Sequence, residues 1–290
     1  MQKRVILARL LSGKESRMTS LKKRLEQKEI VRVPGIYDAL TATLAEKAGF
    51  EATFISGSAV SFSQLARPDI GFVTQTEMAQ VVDRVRDRIS IPLFVDADSG
   101  FGNAFNVART VRMFERAGAS GIQIEDQLNT KVVTEVSSRP LVPTDAMVGK
   151  IKAALDARQS EDTIISARSD AMFTEGLDAA LERAVAYADA GADMVFVEGL
   201  TEADDRTKLC DALKDRVLLL FNLLKPGALG TPSPEDLEVQ GYDIVLFPSA
   251  VIGPVANAAW QSLNQLAGND VPKDPIPVTN LIDINAQSKC

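Results

Sequence analysis

ERAGASGIQIE, residues 115–125, carries the fold in one phrase. A charged helix end runs into Ala-Gly, a short link follows, and an apolar run closes on a carboxylate. Glycine in that place suits the left-handed residue that follows a helix C-terminus. The phrase recurs as EKAGFEATFIS at 46–56 and ADAGADMVFVE at 188–198, and more loosely as EVQGYDIVLF at 238–247. A helix that returns repeatedly to a strand implies a parallel sheet with crossover helices.

Outward from these junctions, strand-length apolar runs lie at 30–34, 52–56, 92–96, 121–125, 163–168, 194–198, 217–222 and 243–247. Helical spacing fills the gaps: Leu40, Leu44 and Ala48 stand at i, i+4, i+8, and Val107, Val111 and Phe114 at i, i+4, i+7. Repeated units of this kind, with no linker between them, predict an α/β fold, a (β/α)8 TIM barrel over residues 30–268, in preference to a doubly wound sheet. Residues 1–29 read as an N-terminal helical extension with Leu21 and Leu25 as its apolar stripe, and 269–290 as a proline-bearing C-terminal tail.

Composition removes several functions. The net charge of -7 argues against a nucleic-acid partner, and no apolar run is long enough for a membrane span. Cys210 and Cys290 make no disulfide framework, so a reducing, cytoplasmic setting is expected. Histidine is absent. Histidine bases, Ser-His-Asp triads and His-ligated zinc are therefore excluded, and the chemistry must come from carboxylates, Arg, Lys, Asn, Ser, Tyr or backbone groups.

In such barrels function gathers at the C-terminal ends of the strands. Here those ends carry Ser56-Gly57-Ser58, then Asp96 and Asp98, Glu125 and Asp126, Arg168, Glu198 and Asn222. Any one of them could be a cap; six successive polar strand ends around one mouth point to a site. Carboxylates so gathered repel each other unless a hard cation joins them. Oxygen donors without His or Cys suit Mg²⁺ or Mn²⁺. Because Mg²⁺ keeps several waters, Asp96 can be its direct ligand while Asp98, Glu125 and Glu198 hold the water shell. Arg168 offers a fork for a carboxylate or phosphate, and Gly57 lets an anion approach backbone N–H groups. Asp126 reads equally well as a loop cap. The partner implied is a small, multiply anionic substrate.

FISGSAV, RPDIGFVT, VDADSGFGNAFNVARTV, GIQIEDQ, ISARSDA and FVEGLTE occur in that order. In this the chain resembles the isocitrate lyase/phosphoenolpyruvate mutase superfamily over about residues 20–265. The resemblance implies a barrel whose last helix is exchanged between subunits of a homotetramer, Mg²⁺, and an enolate of a pyruvate-like fragment. It implies that Ser56, Gly57 and Ser58 hold the α-oxo acid with Asp69 beside it, and that Asp96, Asp98, Glu125 and Glu198 form the metal shell. Arg168 and Asn222 then contact substrate. The helix expected to be exchanged is GPVANAAWQSLNQLAG, with Val255, Ala259, Leu263 and Trp260.

One stretch departs from the pattern. Where the superfamily's lyases look like K-[KR]-C-G-H on a gating loop, this chain has Lys131-Val132-Val133-Thr134-Glu135. Lys131 matches; Val133 stands at the Cys position and Glu135 at the His. That Cys is the acid that protonates the departing carbon acid. The mutase Asn is missing as well. Lys131 and Arg139 are expected to reach a distal carboxylate. Loss of CO₂ needs no such acid, which favours decarboxylation of an oxaloacetate-like substrate over methylisocitrate-type cleavage. A phosphonate enzyme, mutase or hydrolase, is the alternative.

Overall fold

A computed structural model describes residues 20–27, 29–128, 139–271 and 274–281. The described residues open on helix α1 (Leu21–Leu25), then alternate strands and helices. These are β1 (Val31–Ile36), α2 (Ala39–Lys47), β2 (Thr53–Ile55), α3 (Gly57–Leu65), α4 (Gln75–Arg86), β3 (Leu93–Asp96) and α5 (Ala104–Ala117). There follow β4 (Gly121–Glu125), α6 (Thr144–Ala157), β5 (Ile164–Ser169), α7 (Leu177–Asp189), β6 (Met194–Val197) and α8 (Ala203–Leu213). β7 (Leu218–Asn222), α9 (Pro234–Gln240), β8 (Ile244–Phe247), α10 (Ile252–Ala267) and α11 (Val278–Leu281) complete it.

The strands close into a barrel in sequence order, and parallel pairing of Val31 with Ile244 joins the first to the last. The chain is a (β/α)8 TIM barrel, as the repeated junctions predict. Gly49, Gly118, Gly191 and Gly241 have φ of 92°, 99°, 97° and 106°, the left-handed turns those junctions require.

Strand periodicity of two divides the core into layers. Phe54, Phe94, Ile164, Met194, Phe196, Leu220 and Ile244 pack together inside the barrel, with Leu21 and Leu25 of α1 buried against them. Val95, Ile122, Ile165, Val195 and Leu219, of opposite parity, join the larger layer beneath the helices. Two residues beyond an interior position is again an interior position. Asp96 follows Phe94, Arg168 follows Ser166, Glu198 follows Phe196 and Asn222 follows Leu220 by that step. This parity aims all four at the barrel mouth.

Two helices differ from a simple barrel helix. In α2 the buried residues are Thr41, Ala42 and Ala45, whereas Leu40 and Leu44 are 68% and 53% exposed. The apolar stripe seen in the sequence marks the helix correctly but faces away from the sheet, because the small residues are the ones that fit closely against it. In α10 only Ile252 and Asn264 are buried; Trp260, Leu263 and Leu266 are 40%, 61% and 83% exposed. Asn257 ties this helix to the segment before α11, accepting from Ile276 N at 2.7 Å and donating to Ile276 O at 2.8 Å. Among the described residues, no helix is long and apolar enough to cross a membrane.

Candidate active site

The β2 end forms the first wall. Ser56 caps α3, its Oγ accepting from Ala59 N at 3.4 Å and lying 3.1 Å from Ser58 Oγ. Gly57 N donates to Asp96 Oδ2 at 3.3 Å. A Cβ on Gly57 would lie 2.9 Å from the same oxygen. A side chain here would push against the Asp96 carboxylate, which would have to shift.

After β3 the backbone turns back on itself. Asp98 N donates to Asp96 Oδ1 at 3.1 Å, and Asp98 O accepts from Glu125 N at 2.9 Å. Asp98 has φ 46° and Phe101 φ 59°. The first is tolerable for Asp, but the second is strained for an aromatic residue and persists only where the surroundings enforce it. Two bonds do so: Thr110 Oγ1 donates to Gly100 O at 3.2 Å, and Lys150 Nζ donates to Ser99 O at 2.8 Å. Lys150 is buried on α6, and burial pushes its ammonium below the ordinary lysine range against the pull of Glu125 and Asp126. The sequence reading passes over Lys150.

Arg168 on β5 is the cation of the mouth. Nη1 lies 3.4 Å from Glu125 Oε2, and Nη2 lies 3.5 Å from Glu198 Oε2 and 2.9 Å from Asp170 Oδ1. Burial would lower its pKa, but these three carboxylates hold the guanidinium well above its ordinary value. Asn222 Nδ2 donates to Glu198 Oε2 at 3.0 Å. Among the described residues, Arg168 Nε and Asn222 Oδ1 are buried without a hydrogen-bond partner. A buried donor or acceptor left unsatisfied is costly.

Asp170 is the acidic residue that sequence reasoning misses. It is fully buried, accepts from Gln127 Nε2 at 2.9 Å, and also pairs with Arg139. Burial pushes its carboxyl up, and the charges of Arg168 and Arg139 outweigh this and hold it low. Asp170 lies one residue beyond the end of β5, where strand parity no longer applies. Arg139, expected to reach a distal carboxylate, pairs with Asp170 and stacks 4.2 Å from the Phe173 ring centre. Lys131 lies outside the described residues. Asp69 lies half-buried in the link between α3 and α4.

Asp126 is structural. Fully buried, it accepts from Tyr187 O–H and Ser169 Oγ at 2.7 Å each and from Asp170 N at 3.0 Å. Among the described residues, no three acidic or cysteine side chains form a ready metal cage. An all-oxygen mouth of this kind nevertheless fits a cation that keeps its own waters, with one carboxylate in direct contact. Beside Glu198 and Asn222 opens a cleft of about 510 Å³, walled by Phe173, Phe196, Leu200, Phe221 and Leu223.

Residues 21–267 match the family described as phosphoenolpyruvate phosphomutase. The chain is 39% identical over 250 residues to 2,3-dimethylmalate lyase of Eubacterium barkeri, covering 86% of each. It is 39% identical over 254 residues to 2-methylisocitrate lyase of Aeropyrum pernix, covering 88% of this chain and 81% of that one. Oxaloacetate acetylhydrolase with the inhibitor 3,3-difluorooxalacetate superposes with a TM-score of 0.79 at 27% identity, covering 94% and 95%. Phosphonopyruvate hydrolase with oxalate and Mg²⁺ superposes with 0.75 at 28% identity, covering 93% and 95%.

Proposed function

The chain belongs to the phosphoenolpyruvate phosphomutase family and is a carbon–carbon lyase, and from that premise we propose that it decarboxylates a small oxaloacetate-like dicarboxylate with Mg²⁺. The observation that carries this reading is the absence of a thiol at the mouth among the described residues. Cys210 is buried on α8, outside the barrel, and the family resemblance puts Val133, outside the described residues, at the position of the lyase cysteine. Cleavage that expels a carbon acid needs a proton donor for it. Expulsion of CO₂ does not.

Asp96 would hold the cation directly, with Asp98, Glu125 and Glu198 on its waters. The cation, when bound, supplies Lewis-acid polarisation of the α-oxo acid. Ser56, Gly57 and Ser58 orient the oxo-acid end, with Asp69 beside it. Arg168 and Asn222 would contact the substrate. As the C3–C4 bond breaks, its electron pair passes to C3 and the C2 oxygen, and Arg168 faces the charge that develops. A proton from solvent water at C3 then gives the oxo acid. Lys131 would meet the distal carboxylate. A homotetramer in the cytoplasm completes the reading, supported by the exposed apolar face of α10.

The apolar cleft favours a second reading. It has room for an alkyl branch, as carried by the substrate that names 2,3-dimethylmalate lyase, and so supports cleavage of an alkylated malate. Phosphonate chemistry is the alternative class. A panel of oxaloacetate, 2,3-dimethylmalate, methylisocitrate and phosphonopyruvate with Mg²⁺ decides among them. Turnover of oxaloacetate with little cleavage of methylisocitrate is expected; preferential phosphorus–carbon cleavage, seen by phosphorus NMR, would overturn the proposal.

A further inference from the structure

Arg168 stands among three carboxylates, and its contacts with them are unequal. Nη2 donates a hydrogen bond to Asp170 Oδ1 at 2.9 Å, whereas Glu125 and Glu198 stand at ion-pair distances of 3.4 and 3.5 Å. Asp170 cannot shift to follow the arginine. Gln127 holds its Oδ2 at 2.9 Å, Arg139 pairs with its Oδ1, and its backbone N–H donates to Asp126 Oδ1 at 3.0 Å. Asp126 is anchored in turn by Tyr187 and Ser169. The fixed partner is therefore Asp170, and the guanidinium is drawn to it.

Glu125 and Glu198 are the carboxylates assigned above to the cation's water shell. A guanidinium released toward either would form a bidentate pair, the strongest arrangement open to it, and would compete with those waters. We propose that Asp170 is a positioning residue that holds Arg168 back from Glu125 and Glu198, so that both carboxylates face the hydrated cation. The inference rests on the cation site proposed above.

Mn²⁺ titrated into the purified full chain and followed by electron paramagnetic resonance tests this without turnover. Asp170→Asn should weaken Mn²⁺ binding at least about tenfold, in the range seen when groups behind metal ligands are lost. In an Arg168→Met background the same substitution should change affinity less than about twofold, because no guanidinium remains to move. Equal weakening in both backgrounds would mean that Asp170 acts only through its charge, and the proposal would fall. Unchanged binding by Asp170→Asn would also overturn it. Should Asp170→Asn lose the wild-type near-ultraviolet circular dichroism, Asp170→Glu is read by the same criterion, since it keeps the charge and moves the acceptor. Wild type that binds no Mn²⁺ would overturn the cation site itself, and this inference with it.

Discussion

Gly57 and Asp96 are fitted to one another: the glycine N–H donates to the carboxylate at 3.3 Å, and a Cβ on Gly57 would come within 2.9 Å of the same carboxylate oxygen. Gly57→Ala should displace the Asp96 oxygen while leaving α3 intact. A misplacement on the order of 1 Å can cost about 10²-fold in rate. We expect kcat/KM to fall at least about tenfold with Tm little changed, and Asp96→Ala to abolish Mn²⁺ binding altogether. Retained turnover by Asp96→Ala in a chelator would refute the cation site.

Lys150 supports the β3 turn from below through Ser99 O. Lys150→Met removes that donor without changing the volume greatly. Losing a buried hydrogen bond costs about 1–3 kcal/mol. We expect a lower Tm together with a roughly tenfold or greater drop in kcat/KM, whereas an unchanged kcat/KM would show that the turn holds its shape unaided.

Cys210 should be irrelevant to the chemistry and legible in stability. Burial raises its thiol pKa to about 11, from 9.0 for an ordinary cysteine. Between those pH values the unfolded chain gives up the thiol proton and the folded one keeps it, so stability falls as pH rises through that window. Below pH 9 the group contributes no slope. Cys210→Ala should flatten the decline in denaturant midpoint over this range and keep full activity. The measurement uses a Cys290→Ser background, and loss of activity would contradict the reaction proposed.

Trp260, Leu263 and Leu266 on α10 and Leu40 and Leu44 on α2 follow neighbouring strands of the closed barrel, β8 and β1, and all are exposed. Exposed large apolar side chains on these two helices favour association. We expect an oligomer by light scattering at micromolar concentration, and dissociation by Leu263→Asp. A monomeric wild type would refute this.

The stretch at 131–135 decides the fate of the enolate in the reading above. Val132→Arg, Val133→Cys, Thr134→Gly and Glu135→His, made together, should raise kcat/KM for methylisocitrate. Efficient methylisocitrate cleavage by the wild type would mean that another group supplies the proton.

The strands were legible because both faces of each are covered, which leaves runs as apolar as those ending in Asp96 and Glu198. The convergence of Asp96, Arg168, Glu198 and Asn222 followed from the same runs, since parity carries an interior position two residues onward. Asp170 was hidden because an Asp after a strand reads as a cap, and only its two arginines distinguish it. Lys150 was hidden because its contact joins a helix to a distant turn. The stripe at Leu40 and Leu44 announced a helix, but amphipathicity does not say whether the apolar side meets its own sheet or something else.

The pairing of Val31 with Ile244 has a consequence for biosynthesis. The two strands that seal the ring lie near opposite ends of the chain. While the polypeptide emerges from the ribosome, β1 and each newest strand present open edges, and such edges invite pairing with other chains. Sealing must await β8, so the nascent barrel depends on late, long-range contacts that form slowly. Until that pairing forms, the open edges of a half-made ring leave the nascent chain exposed to aggregation.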